Sequence, residues 1–191
     1  MANQPLNTTL LDRAIIFAVK AHAGTERRGK GYPYIVHPLE AVSIVATMTS
    51  DQELLAAAAL HDTVEDTEVT VEQIRAEFGE RVAALVADES DVIPESVPKE
   101  DNWHERKRDA IERLSKAGRD SKIVALGDKL SNMRGIARDY AIMGDDIWNL
   151  FHVKDRKAHE WRFRCLANIL RELDDTFAFQ EFEHLINQVF G

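Results

Sequence analysis

Apolar residues recur three and four positions apart along nearly the whole chain, and no segment sustains the alternation of a strand. The pattern predicts an all-α protein of roughly eight to ten helices. Thr8 or Thr9 caps a first helix running to about His22, with Gly24 just past its end. Pro38 suits the first turn of a second helix, since proline lacks the N–H that has no partner there; this helix runs to about Met48 and starts at His37. Asp51 caps a third, which carries the run Leu54 to Leu60 and continues into His61, Asp62, Glu65 and Asp66. Thr70 with Gln73 matches a capping box, and Gly79 ends that short helix. Further helices are expected over about Glu80–Ala87, from Asp101 or Asn102 to Lys116, over Ser121–Arg138, from Asp145-Asp146 to about Leu173, and over Phe177–Val189. Between them, Asp88–Asp101, with Pro94 and Pro98, reads as a loop, Gly118-Arg119-Asp120 as a turn, and the stretch ending at Gly144 as a loop.

Length adds that this is one domain spanning 1–191, because 191 residues suffice for a single sizeable core and no linker or repeat divides them. Net charge is −9, which disfavours nucleic acid and anionic membrane as partners. Cys165 is the sole cysteine, so no internal disulfide forms. No basic leader precedes an apolar segment, and Ile15 to Val19 is too short to span a bilayer. A reducing cytoplasm is the expected compartment.

Against this background the run ending in His61-Asp62 is out of place. On a continuous helix His61 stands over Glu65 and Asp62 over Asp66. Burying such groups unpaired costs several kcal/mol each, and a cation is the cheapest compensation. Two other residues fit the same picture. His37 sits at a helix start, and Asp128 interrupts the apolar stretch Ile123 to Leu130. His37, His61, Asp62 and Asp128 together form a two-histidine, two-carboxylate set. Nitrogen and hard oxygen donors of this kind suit Mn²⁺, Fe²⁺, Co²⁺ or Zn²⁺. Asn132 lies one turn after Asp128 on the same face. Arg27, Arg28 and Lys30 form the one dense basic cluster ahead of the metal set.

These residues carry a resemblance. The order His37, His61-Asp62, Asp128 is similar to that of the HD superfamily of metal-dependent phosphohydrolases. The segments Tyr34-Ile35-Val36-His37-Pro38-Leu39, Ala59-Leu60-His61-Asp62-Thr63-Val64-Glu65-Asp66-Thr67, Phe78-Gly79 and Asp128-Lys129-Leu130-Ser131-Asn132-Met133-Arg134 resemble the hydrolase domain of the stringent-response RelA/SpoT enzymes and the small stand-alone alarmone hydrolases. The match covers about Ala14 to Arg138, with a weaker echo around Trp161 and C-terminal helices over about 145–190. The resemblance implies a helical HD-domain fold and hydrolysis of the 3′-diphosphate of guanosine tetra- or pentaphosphate to GDP or GTP plus pyrophosphate. It implies Mn²⁺ on His37, His61, Asp62 and Asp128, and Glu65 and Asp66 as the catalytic acidic pair. Arg27, Arg28 and Lys30 fall on the family's nucleotide-contacting segment, with Lys129, Asn132 and Arg134 as further substrate contacts and Arg138 extending the patch. The alternative substrate is another nucleotide, such as a 2′- or 3′-phosphorylated dinucleotide cofactor. One departure stands out: long members carry a Val-Thr-Lys type segment where this chain has Ala87-Asp88-Glu89-Ser90-Asp91.

Overall fold

The computed structural model describes residues 7–90 and 103–191. Among the described residues the chain forms ten α-helical segments and two 3₁₀ segments, with one isolated antiparallel bridge between Glu26 and Pro33. The α-helices are α1 (Thr9–Ala21), α2 (Val36–Val45), α3 (Gln52–Leu60), the single turn α4 (Thr63–Asp66), α5 (Val71–Phe78), α6 (Glu80–Glu89), α7 (Trp103–Lys116), α8 (Arg119–Met143), α9 (Arg156–Ile169) and α10 (Phe177–Phe190). None of the described helices is long and apolar enough to cross a membrane.

Local signals set many of the boundaries. The Asp51 side chain accepts from the Glu53 amide at the start of α3. Thr70 and Gln73 form the expected capping box, each side chain accepting from the other's backbone amide. Gly79 takes φ +92 between α5 and α6, a value that L side chains rarely adopt.

Helix α8 is the spine. It packs against α2, α3, α6 and α10, and its residues Ser121 to Asp128 are all buried. Every residue from Leu54 to Leu60 in α3 is buried too, and its four alanines let α1, α2 and α8 approach closely. Gly127 marks the tightest crossing. A Cβ built there would stand 2.6 Å from Val45 Cγ2 and 3.0 Å from the Ala41 carbonyl oxygen, both on α2. The missing side chain lets α8 press onto α2, and so brings Asp128 to His37.

Several boundaries differ from the sequence expectation. Helix α2 stops at Val45 rather than about Met48. The helix carrying His61 is not continuous: α3 ends at Leu60, His61 and Asp62 form a turn, and α4 resumes at Thr63. The Thr63 hydroxyl donates back across the break to the Leu60 carbonyl at 2.7 Å, and Asp66 N–H bonds the Asp62 carbonyl at 3.0 Å to close the new turn. Asp88 and Glu89 belong to α6, while the rest of the expected loop from residue 91, with Pro94, Pro98, Asp101 and Asn102, lies outside the described residues. The expected turn at Gly118-Arg119-Asp120 is the start of α8, with Gly118 at its N-cap. That helix continues past Arg138 because no breaker precedes Gly144, whose φ of +57 ends it. The single helix expected from Asp145 to Leu173 is three pieces: 3₁₀ turns over Gly144–Leu150 and Leu170–Leu173, with α9 between them. Asp155 caps α9 by accepting from Lys157 N–H at 2.9 Å, and this local bond outweighs the helical pattern around it.

Candidate metal centre and nucleotide cleft

Three structural elements bring the four candidate side chains together: His37, His61 and Asp128 offer ligand atoms within 4.8 Å of one another, and Asp62 lies beside the two histidines. His37 comes from the first turn of α2, His61 and Asp62 from the joint between α3 and α4, and Asp128 from the middle of α8. His37 Nε2 and His61 Nε2 lie 3.3 Å apart. Asp128 Oδ1 is 3.0 Å from His37 Nε2 and 3.6 Å from His61 Nε2. Asp62 Oδ2 is 3.0 Å from His61 Nε2 and 3.4 Å from His37 Nε2. His37, His61 and Asp128 are buried, at 4%, 2% and 7% exposure.

The outer atoms of the imidazoles explain what the inner ones are for. His61 Nδ1 lies 2.9 Å from the Ala58 carbonyl, an acceptor only, so this nitrogen carries the proton. His37 Nδ1 lies 2.8 Å from Ser131 Oγ, and Ser131 in turn donates to Glu40 Oε2 at 2.8 Å. With the serine proton spent on Glu40, His37 Nδ1–H donates to Ser131. Both Nε2 lone pairs therefore face inward, towards each other and two carboxylates. Four acceptors converging where three of them are buried and Asp62 is partly so need positive charge among them. Nitrogen and oxygen donors with oriented imidazoles fit a divalent metal ion. Burial alone would raise the carboxyl pKa values of Asp62 and Asp128. Their neighbours outweigh it and hold both well below the usual range: the imidazoles of His61 and His37 for Asp62, the Lys129 ammonium and then the same imidazoles for Asp128.

Around this cluster lies a cavity of about 170 Å³. Glu65 and Asp66 are on its wall with Asp62 and Asp128. The Tyr34 hydroxyl is 2.7 Å from both Asp62 Oδ2 and Asp66 Oδ2, so its one proton is shared between them. Burial, then the two carboxylates, push the Tyr34 pKa far up and keep the phenol protonated. His22 packs tilted against Tyr34 with ring centroids 4.8 Å apart, and its pKa is lowered mainly by burial.

Lys129 reaches into the same cavity from α8. Its ammonium bonds Asp128 Oδ2 and lies 3.0 Å from Glu89 Oε2. Burial would lower the Lys129 pKa, but Asp128 and Glu89 raise it well above the usual value. Glu89 responds in the opposite sense: its burial outweighs Lys129 and raises it. The acidic segment that departs from the family pattern thus places Glu89 at the site, where its charge meets a buried lysine. Its neighbour Asp88 accepts from Ser121 Oγ at 2.6 Å.

A second, larger cavity of about 540 Å³ adjoins the first, with Arg27, Tyr34, His37, Asn132 and Arg162 on the walls of both. Arg28, Lys30, Arg134 and Arg138 line it, which concentrates positive charge in an acidic protein. Tyr32, Trp103, Phe151 and Val153 supply apolar surface. The loop before α2 sets the basic cluster. Arg27 N–H bonds the Tyr32 carbonyl and Tyr34 N–H the Thr25 carbonyl, both at 2.9 Å, closing the loop on itself. Arg27 lies over the Tyr34 ring at 5.2 Å and donates to Asn132 Oδ1 at 2.6 Å. Asn132 in turn donates to Asp128 Oδ1, which joins the basic loop to the metal cluster.

Of the sequence-predicted candidates all but His61 line these two cavities, and His61 meets the cluster through His37 and Asp62; their commitments differ. Lys30 is ion-paired with Asp139. Arg134 forms a two-pronged bond to Glu181 of α10, 2.7 Å on each side, and lies 3.3 Å from Glu40. Sequence reasoning passed over Tyr34, Glu89, Lys107 and Arg162, all of which line the metal-side cavity. Tyr34 was within reach as a buried-looking aromatic three residues before His37. The other three are placed by packing between distant segments.

The fold and the donor set define a class. Residues 14–154 match the HD domain family, and the chain belongs to it. Relatives carry a narrower name. The mouse guanosine-3′,5′-bis(diphosphate) 3′-pyrophosphohydrolase MESH1 is 37% identical over 177 residues, covering 91% of this chain and 89% of that protein. The zebrafish MESH1 is 36% identical over 135 residues, covering 69% and 72%. A guanosine-3′,5′-bis(diphosphate) 3′-pyrophosphohydrolase of Aquifex aeolicus is 44% identical over 86 residues, which are 45% of this chain but 12% of that protein. The chain thus spans most of the MESH1 proteins and a small part of the long bacterial relative. Among solved structures, a metazoan SpoT orthologue described as hydrolysing ppGpp superposes with a TM-score of 0.75 at 24% identity, covering 97% of this chain and 98% of that one, a likeness of fold. The Listeria monocytogenes protein lmo0812 gives a TM-score of 0.69 at 30% identity, covering 84% and 97%.

Proposed function

We propose that this chain is a metal-dependent 3′-pyrophosphohydrolase of guanosine tetra- and pentaphosphate, releasing GDP or GTP and pyrophosphate. The observation that carries it is the joining of the two cavities. A small chamber lined by His37, Asp62 and Asp128 of the cluster opens along shared walls into a basic chamber of about 540 Å³, within the size range of ligand sites. The first has room for phosphoryl groups and the second for a nucleoside. The names of the MESH1 relatives supply the substrate class.

His37, His61, Asp62 and Asp128 hold the ion, and Mn²⁺ is the ion we assign to it. When bound, it supplies Lewis-acid chemistry at the phosphoryl group. Glu65 and Asp66 orient the attacking water and take its proton. Tyr34 keeps the Asp66 carboxylate turned towards the cluster through the proton it shares with Asp62. Arg27, Arg28, Lys30 and Asn132 hold the nucleotide, with charge-assisted bonds to phosphate and a guanidinium plane for the base. Lys129 balances Asp128 and Glu89 while facing the scissile group. Arg134 serves chiefly as a strut: its bonds to Glu181 and Glu40 tie α10 to the hydrogen-bond chain behind His37. Residues 1–191 act as one unit in this reading, because Arg162 of α9 and Asp128 of α8 line the same cavity.

The Mn²⁺-loaded protein, given guanosine tetraphosphate, should produce GDP and pyrophosphate in equal amounts by chromatography and ³¹P NMR. Orthophosphate released first, or no turnover alongside rapid cleavage of a phosphorylated dinucleotide, would overturn the assignment.

A further inference from the structure

Arg162 lies outside the stretch that matches the HD domain, which ends at residue 154. It is carried by α9, and it reaches the walls of both cavities. Among the described residues four others do so, and of these five Arg27 and Arg162 are the guanidinium groups. The two arrive from opposite ends of the chain, Arg27 on the loop before α2 and Arg162 near the C-terminus. Whatever extends from the basic chamber to the metal cluster passes between residues that include these two guanidinium groups.

Other features fix Arg162 at this junction. Its guanidinium carbon is 5.6 Å from the centroid of the neighbouring Phe163, a ring buried in the core. Its charge bears on Lys129 in the small chamber and on His159 in the large one, opposing protonation of each. His159 is itself locked, with Nε2 2.7 Å from the Val153 carbonyl and its ring stacked on Trp148 at 5.2 Å. The helix that presents Arg162 is therefore held in place on the side facing the cleft.

We propose that Arg162 is a specificity-determining residue that, opposite Arg27, grips the ribose-proximal phosphate of the 3′-diphosphate, the one whose bond to the ribose 3′ oxygen is broken. The inference rests on the function proposed above and adds to it. The HD core supplies ion binding and hydrolysis, and a helix beyond that core selects substrates that thread both chambers. A guanidinium suits the task because it binds two phosphate oxygens at once in a fixed plane.

Arg162→Ala and Arg162→Lys test this with two readouts. With guanosine tetraphosphate, Arg162→Ala should raise KM about tenfold or more while kcat stays within about threefold of wild type, as expected for a charge-assisted contact made in both ground and transition states. Arg162→Lys should recover part of the loss. Metal content should match wild type in both variants. Calorimetry with inorganic pyrophosphate on the Mn²⁺-loaded proteins gives the second readout without turnover, and Arg162→Ala should bind it more weakly by a similar factor. Unchanged pyrophosphate affinity in Arg162→Ala, or an unchanged KM, overturns the role. If wild type binds pyrophosphate through Arg162 yet leaves guanosine tetraphosphate intact, the clamp stands and the substrate assignment falls.

Discussion

Replacing Ser131 by alanine removes one hydroxyl from behind the metal cluster and touches none of the four donors. In the native chain His37 Nδ1–H donates to Ser131 Oγ at 2.8 Å, and Ser131 passes the polarisation to Glu40 at 2.8 Å. His37 is 4% exposed and Ser131 equally buried, so water does not readily take the place of the hydroxyl. The variant then has two options. It keeps the proton on Nδ1 as an unsatisfied buried donor, at a cost of about 1–3 kcal/mol. Otherwise it moves the proton to Nε2, which removes the lone pair an ion needs. Either way the cost falls on ion binding. With a factor of ten for each 1.4 kcal/mol, the loss in affinity is between about 5-fold and 150-fold. Titration calorimetry with Mn²⁺ measures this directly. Activity assayed against rising Mn²⁺ should need correspondingly more ion and then approach the wild-type maximum, since Glu65 and Asp66 are untouched. Mn²⁺ affinity within twofold of wild type would show that His37 is not oriented by Ser131, and the assignment of its inward lone pair would fail with it.

Glu65→Gln and Asp66→Asn keep size and remove basicity, so kcat should fall by at least about 10²-fold in each while metal content stays near wild type; loss of the ion would make them ligands instead. Gly127→Ala should destabilise the protein although alanine is the better helix former by about 1 kcal/mol, because the added Cβ meets the Ala41 carbonyl oxygen and Val45. A net loss of about 1–2 kcal/mol lowers the melting temperature by several degrees, and a higher melting temperature would refute the close-crossing argument.

How far the sequence could be read varies along the chain, and the reasons are physical. The candidate donors His37, His61, Asp62 and Asp128 stood out because each interrupts or borders an apolar segment, where an ionisable group demands an explanation. The caps at Asp51 and Thr70 were readable because they bond within three residues. The region from Gly144 to Leu173 misled, since its helical periodicity continues through breaks that are set by single contacts such as the Asp155 cap and His159 to Val153. The continuous helix expected through His61 failed for a related reason: apolar spacing does not reveal a turn of two residues that aims both side chains inward. Glu89 and Lys129 are 40 residues apart, and Tyr34 and Asp66 are 32 apart. Such pairs leave no local trace, so the acidic segment looked like a defect of the family pattern instead of a partner for a buried lysine.

The joint at His61 and Asp62 also bears on how the chain stays folded. With one cysteine, this protein has no internal covalent cross-link. In the proposed function, an ion held at the joint would tie α2, the α3–α4 turn and α8 together at one point. It would close a loop of 24 residues between His37 and His61 and a longer one to Asp128. Such a closure acts through binding to the folded chain and not, as a disulfide does, by restricting the unfolded one. Because the ion binds the folded form, its free concentration enters the folding equilibrium directly. The supply of a divalent ion thereby becomes a determinant of how long the molecule persists, and loss of the ion removes a topological constraint together with the chemistry.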